Sequence, residues 1–360
     1  MDHMGYMYSG SAFEDKQNVT GLKENEHNPF LLFYTTSGYY DIISEGVEAT
    51  ICLAYSTDGG KTFRKYGKNP IIAHIVDENR DPSVVYYDEE NGKYIMAFYL
   101  TGNEYIFMRS DNLLQWETIT TMQIPGSIEF PDLYELYDNG VKKHVLMLGY
   151  GAYLVGHLDA VNGFVPDCET DIKQINYGAT QAPMHFSGLD RTVRLDWNKF
   201  IFDDELITYA GTMSTPCELY LKDGILRIKA IDSFAAQFTQ DTIHTNIELN
   251  GFSAPLKPAP SYITVCLQDE EDVELTIFGY TIRICEDCIE SDYPKENTTV
   301  KTPYQKGSTI TLITDDVGIE MLVDDVSFTG LQTICDYSQS TLDFHGSGRI
   351  AELTIASYHK

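Results

Sequence analysis

Basic residues are scarce in this sequence: 25 Lys and Arg stand against 54 Asp and Glu, a formal net charge of −29. Such a surface repels phosphate backbones and anionic lipid headgroups, which argues against nucleic acid and membrane as partners. It is compatible with a soluble protein that handles a neutral ligand such as a sugar. No run approaches the roughly 18 consecutive apolar residues of a membrane helix. The opening MDHMGYMYSGSAFED has no basic segment leading into an apolar one, so neither a span nor an export signal is expected in the chain as given. Cysteine is sparse, with seven residues (Cys52, Cys168, Cys217, Cys266, Cys285, Cys288 and Cys335) scattered through a chain too long to need staples. An odd, dispersed set fits reduced thiols and a cytoplasmic setting. Cys285-Glu286-Asp287-Cys288 is a lone CxxC without a second pair at zinc spacing and without a thioredoxin-like βαβ pattern around it. The expectation there is incidental thiols and no metal. Leu-, Ala- and Lys-rich helical blocks are also missing. Aromatics are plentiful instead, at 12% with 25 Tyr, which predicts a mainly β chain.

A length of 360 residues suggests two domains at the usual domain size of roughly 100–200 residues. DPSVVYYDEENGKYIMAF (81–98) and FPDLYELYDNGVKKHVLML (130–148) share one plan, and the offset from Arg80 to Glu129 is 49 residues. Each opens on an acidic residue near a proline, runs into an aromatic-rich strand, turns at Asn91-Gly92 or Asn139-Gly140, and returns on an apolar strand. SGSAFED (9–15) leading to LLFYTT (31–36) is an earlier copy, and a weaker one starts near QINYGATQAP (174–183). A period near 50 residues with several short strands is that of a β-propeller blade, and four blades are counted over about 1–70, 71–123, 124–175 and 176–226. Within the first two, Asp58 and Asp111 are expected to cap turns, with Phe63 and Trp116 packing between blades. After residue 226 the acid-proline openings stop. Alternating runs such as SYITVCL (261–267), VELTIFG (273–279), STITLITDD (308–316) and IEMLVDD (319–325) predict an antiparallel β-sandwich over 230–360, with a loop at 291–308.

In a propeller the innermost strands aim their leading residues at the central axis, so repeat-initial residues of successive blades converge on one funnel. Here these are Ser9-Gly10-Ser11, Arg80-Asp81-Pro82 and Glu129-Phe130-Pro131-Asp132. An arginine beside one carboxylate, with a second carboxylate one blade away, is equipment for glycosidic hydrolysis. One acid must hold a proton for the leaving oxygen while its partners stay ionised, and crowded acids beside an arginine provide that split. On spacing alone the bland alternative stays open: Asp81 as a turn residue before Pro82, and Glu129 as a blade-edge ion pair.

The series YSGS (8–11), LAYSTDGGKTF (53–63), RDP (80–82), SDNLLQW (110–116), IEFPDLYEL (128–136) and MSTPCELYLKDG (213–224) resembles, in order, the motifs of glycoside hydrolase family 32, with VGIEMLVDD (317–325) resembling a strand pair of that family's C-terminal sandwich. These are invertases, levanases, inulinases and sucrose-6-phosphate hydrolases. The resemblance implies an all-β chain of the family's five-bladed-propeller architecture, of which 1–226 carries four blades, followed by a β-sandwich at 230–360. It also implies a retaining β-fructosidase acting on sucrose or fructans without metal or organic cofactor. Carried over by position, Glu129 is the general acid/base and Asp81 the transition-state stabiliser that holds fructose hydroxyls. Arg80 orients Asp81, and Ser9 contacts the fructosyl unit, with Tyr8 where the family usually has Phe. Trp116 reads as a packing residue.

The sequence departs from the family pattern at defined places. It contains no Asn-Asp-Pro-Asn-Gly segment, which carries the family's nucleophile, and Met1 falls where the family's second blade begins. The expectation is therefore four blades and no nucleophile; Asp2, Asp15 and Asp41 lack the motif around them. Phe130 stands where the family usually has Cys. Three readings follow: a β-fructosidase shortened at its start, a sugar-binding pseudoenzyme that keeps Ser9, Arg80, Asp81 and Glu129, or another propeller glycosidase such as a family 43 arabinosidase or xylosidase. The RDP and IEFPD pair together with the sandwich argues against the last.

Overall fold

The computed structural model describes residues 5–38, 47–76, 78–203, 208–293 and 298–358. Within them the chain is almost entirely β, with a single helical turn at Asp232–Ala235. By its contacts it divides into two compact units, Met1–Lys173 with Ala182–Arg194, and Gln174–Gln181 with Leu195–Lys360.

Four antiparallel sheets are the propeller blades. The first runs through Tyr6–Glu14, Phe30–Ser37, Thr50–Ser56 and Arg64–Lys65 in sequence order. Tyr86–Asp88, Lys93–Thr101, Glu104–Ser110 and Glu117–Gln123 make the second. The third has Asp132–Asp138, Val141–Met147, Ala152–Asp159 and Gly163–Pro166, with Lys173–Gln174 added on Ala152–Asp159. In the fourth, Thr180–His185, Val193–Asp203, Cys217–Lys222 and Ile225–Ala230 follow one another, and Thr208–Met213 pairs with Val193–Asp203.

The YIMAFYL run shows why these sheets stack. Successive side chains of a strand point to opposite faces. Tyr94, Met96, Phe98 and Leu100 join a core with Leu31, Phe33, Ile51 and Leu53 of the first sheet. Ile95, Ala97 and Tyr99 face the other way, into a core with Leu133, Leu146, Leu154 and Phe164 of the third. A blade buried on both faces needs a continuous apolar run rather than an alternating one. Trp116 packs edge-on against Phe33, with ring centroids 6.0 Å apart, the packing role expected of it.

Turn chemistry follows the residues with one exchange of partners. Asn139 and Gly140, at φ 50° and 81°, close a two-residue hairpin between Asp138 and Val141, the geometry of a type I′ turn. Asp58 caps its turn, accepting from the Lys61 and Thr62 N–H groups at 3.0 Å each. Asp111 does not: its carboxylate pairs with Lys93, while the Ser110 hydroxyl accepts the Leu113 N–H at 2.8 Å and Asn112 Oδ1 accepts the Gln115 N–H at 2.9 Å. A neighbouring Asn in the second copy takes over what Asp does in the first. Phe63 is exposed rather than packed between blades.

In the second unit the strands Ser261–Ile277 and Thr341–Tyr358 lie antiparallel over their length, with register slips after Cys266, Gln268 and Glu271. SYITVCL and VELTIFG are thus one bent strand, not two. Ile263, Val265, Leu275, Leu312, Met321, Phe344 and Leu353 fill the core of the sandwich. Much of the loop expected at 291–308 is instead strand: Cys288–Tyr293 pairs with Thr298–Pro303, Tyr293 opposite Thr298 and Cys288 opposite Pro303, while 304–308 forms the turn before the next strand. The β-branched Thr298, Thr299 and Val300 outweigh the polar composition that suggested a loop.

Gly10 of the YSGS segment sits at a register slip between Tyr6–Glu14 and Phe30–Ser37. A Cβ there would meet the Phe33 carbonyl oxygen at 1.9 Å, whereas one on Gly67 would meet nothing within 4 Å. Gly10→Ala is expected to lower stability by roughly 1–3 kcal/mol, and Gly67→Ala to stay within about 0.5 kcal/mol of the parent, as read from urea unfolding midpoints.

Candidate active site

The segment Arg80–Ser83 is strapped to Lys93–Thr101. Arg80 and Tyr99 exchange both backbone hydrogen bonds at 2.9 Å, and the Ser83 N–H donates to the Ala97 carbonyl at 2.8 Å. Pro82 between them has no N–H to give, and Asp81 bulges out with φ 59°. The Asp81 N–H donates to Thr35 Oγ1 at 3.0 Å. One blade on, Glu129 and Phe130 repeat the device with φ 58° and 40°. Left-handed backbone at residues other than glycine costs on the order of 1–3 kcal/mol each and clusters at functional sites. Here it turns two successive carboxyls toward one place. Gly149 allows the second bulge: its N–H donates to the Glu129 carbonyl at 3.2 Å, and a Cβ would meet the Ile128 carbonyl oxygen at 2.5 Å.

The two bulges and the YSGS segment line a cavity of about 220 Å³ containing Ser9, Glu78, Arg80, Asp81, Glu129 and Phe130. Ser9, Arg80, Asp81 and Glu129, all singled out from the sequence, are thus brought together. Arg80 is the hub. Its Nη2 meets Glu129 Oε1 at 2.5 Å, its Nη1 meets Glu78 Oε2 at 2.9 Å, and its Nε lies 3.6 Å from Asp81 Oδ2. The guanidinium also lies 4.7 Å from the centre of the Tyr99 ring, which follows from Arg80 and Tyr99 being cross-strand partners. Burial works against the Arg80 charge, but the hydrogen bonds to Glu129 and Glu78 outweigh it and hold the guanidinium charged.

Asp81 is 2% exposed. Burial, opposed by the Arg80 charge and reinforced by Glu129, pushes its carboxyl up to about 7. The Phe130 N–H at 3.5 Å and the Ser9 hydroxyl donate to it and favour its ionised form. The cavity therefore holds a permanent cation, a carboxyl that is protonated up to neutrality, and Glu129 beside both.

Sequence reasoning missed Glu78 and Thr35, although ENRDP and LLFYTT placed both close to residues it did use. It also gathered Asp132 into the convergent set, and the structure does not put Asp132 in the cavity. That carboxylate is buried and holds His185, accepting the backbone N–H at 2.8 Å and facing Nδ1 at 2.9 Å from both oxygens. Asp15 caps a turn through the Val19 and Thr20 N–H groups at 2.9 and 3.0 Å, and Asp2 and Asp41 lie outside the described residues.

The family model for the N-terminal domain of glycosyl hydrolases family 32 matches residues 1–230. The chain is 33% identical over 175 residues to a levanase of Bacillus subtilis (strain 168), covering 46% of this chain and 24% of that protein. It is 30% identical over 255 residues to a levanase of Bacillus sp. (strain L7), covering 61% of this chain and 27% of that one. The matched stretches thus span about a quarter of each relative. In fold it is similar to the exo-inulinase from Aspergillus awamori, with a TM-score of 0.86 at 16% identity over 98% of this chain and 84% of that one. It is also similar to the β-fructofuranosidase from Schwanniomyces occidentalis complexed with fructosyl-erythritol, with a TM-score of 0.83 at 17% identity over 98% and 83%.

The raised Asp81 pKa makes a signed stability prediction. An unfolded Asp releases its proton near pH 4, whereas the folded chain keeps it up to about 7. Between those values the folded state binds more protons, so stability falls as pH rises through the window. Asp81→Asn, which mimics the protonated acid, should match the parent's thermal midpoint at pH 4 and exceed it by a few degrees at pH 8. A constant difference across the range would show that Asp81 does not titrate this way.

Proposed function

Since the chain belongs to glycosyl hydrolase family 32, we propose that it works as a β-fructofuranosidase-type glycosidase on sucrose or fructans with retention of configuration, using the Ser9, Arg80, Asp81 and Glu129 cavity. The observation that carries this reading is Arg80 joining two repeat-initial carboxyls in one sugar-sized cavity. Relatives named levanase and structural neighbours complexed with fructose or fructosyl-erythritol support a fructosyl unit as the group bound.

In this reading fructosyl hydroxyls donate to Asp81, which favours its ionised form. The proton it gives up is then available to Glu129, the group that must hand one to the leaving oxygen. Arg80 keeps the total charge of the pair near neutral throughout. Turnover by retention further requires a carboxylate nucleophile at C2 of the fructosyl unit, and the 360 residues contain no segment of the family's nucleophile pattern. That observation favours the second reading, fructoside binding without hydrolysis by this stretch of chain.

The test is sugar release from sucrose, inulin and levan, with fructose binding by calorimetry, for the 360-residue chain and its Glu129→Gln variant. Removal of the acid/base should reduce any release by a factor of about 10²–10⁴ and leave fructose affinity within a few-fold. Wild-type release from Glu129→Gln would refute the assignment. Binding without release in the parent would establish the second reading.

A further inference from the structure

The CxxC hairpin carries a third ligand that its sequence spacing does not announce. Tyr280–Ile284 and Cys288–Tyr293 are antiparallel with Ile284 opposite Ile289, and the Cys285 N–H donates to the Cys288 carbonyl at 2.8 Å. Ile282, Ile284 and Ile289 belong to the sandwich core. Strand alternation therefore sends Cys285, Cys288 and Glu290 together to the opposite face. Their two sulfurs and a carboxylate oxygen all lie within 4.8 Å of one another, and all three residues are half-buried. Around a tetrahedral ion with metal–sulfur bonds of about 2.3 Å, neighbouring ligand atoms are roughly 3.5–3.8 Å apart, so small rotamer changes close the site. The Asp287 carboxylate accepts a hydrogen bond from the Cys288 thiol, within reach to act as a further donor or to orient the sulfur. Two thiolates and one carboxylate suit zinc and disfavour calcium or magnesium, which take oxygen ligands only.

We propose that Cys285, Cys288 and Glu290 form a zinc site that clips the end of this hairpin. Its ligands must lose two thiol protons when the ion binds, and the cation beside them is Lys301. That residue stands opposite Glu290 on the next strand, pairs with its carboxylate at 2.8 Å, and its charge is also felt by both sulfurs. Lys301 is exposed, so giving up its bond to Glu290 in favour of the metal costs little. Arg283, the other cross-strand neighbour of Glu290, is already engaged by Glu274 at 3.3 Å and Asp292 at 3.6 Å. The site shares no residue with the Arg80 cavity, so its test is independent of the glycosidase reading.

The experiment titrates the reduced 360-residue chain anaerobically with Co²⁺ and then Zn²⁺. One equivalent of cobalt should give the intense visible bands of a tetrahedral site together with near-ultraviolet sulfur-to-cobalt charge transfer, and one equivalent of zinc should erase both. Cys288→Ser and Cys285→Ser should each abolish the charge-transfer band, Glu290→Gln should weaken binding by roughly tenfold or more, and Glu129→Gln should leave the cobalt bands and zinc displacement as in the parent. Zinc should also raise the thermal midpoint of the parent and not that of Cys288→Ser. The proposal fails if no stoichiometric band appears, if the band survives Cys288→Ser in a folded variant, or if thiol counting shows Cys285 and Cys288 joined as a disulfide under reductant.

Discussion

Three hydrogen bonds in the first unit join residues 49 positions apart: Arg80 to Glu129, the Phe130 N–H to Asp81, and Tyr86 OH to Glu135. Equivalent positions of successive blades are thus tied side by side, and two of these three bonds line the cavity. Arg80 is the group on which the arrangement depends. Without it, Asp81, Glu129 and Glu78 would crowd three carboxyls around one small space, and like charges at such range strongly disfavour joint ionisation. With it, each acid has a cationic partner and the two left-handed bulges are held in register.

What allows such a strained and charged centre is the apolar packing outside it. The Lys93–Thr101 strand is apolar on both faces because it serves two interblade cores at once. Those cores fix the strand to which Arg80 and Ser83 are bonded, so the Asp81 bulge rests on a rigid support. Positive φ at Asp81, Glu129 and Phe130 and a buried carboxyl all disfavour the folded state by amounts that a domain's total stability of roughly 5–15 kcal/mol can absorb only with a well-filled core around them. Stability is spent at the site and recovered in the blades.

The repeat, the β class, the acid-proline openings and the meeting of Asp81 and Glu129 at Arg80 were all legible in the sequence, because each depends on local pattern or on a fixed period. Other features were not. Asp132 occupies a repeat-initial position like Asp81, yet it turns to His185, a partner 53 residues away that no period announces. Thr298–Pro303 reads as loop because its strand character comes from pairing with Cys288–Tyr293 rather than from apolar alternation. Asp111 and Asp58 occupy matching positions with different bonds, since Asn112 competes for the same turn N–H groups. In the first two cases the deciding partner lies in a contact that spacing along the chain does not encode, and in the third it is a neighbouring residue that takes over the turn.

The distribution of protons in the cavity follows from the same geometry. Asp81 is far more enclosed than Glu129, whose side chain is 31% exposed. Burial penalises the ionised form of an enclosed acid, and Asp81 is pushed up to about 7. Under the proposed function, a donor-rich ligand entering against Asp81 would oppose that rise, because hydroxyl donors stabilise a carboxylate. Burial and one arginine thus act on the same carboxyl in opposite directions, and the ligand hydroxyls of the proposed function would side with the arginine.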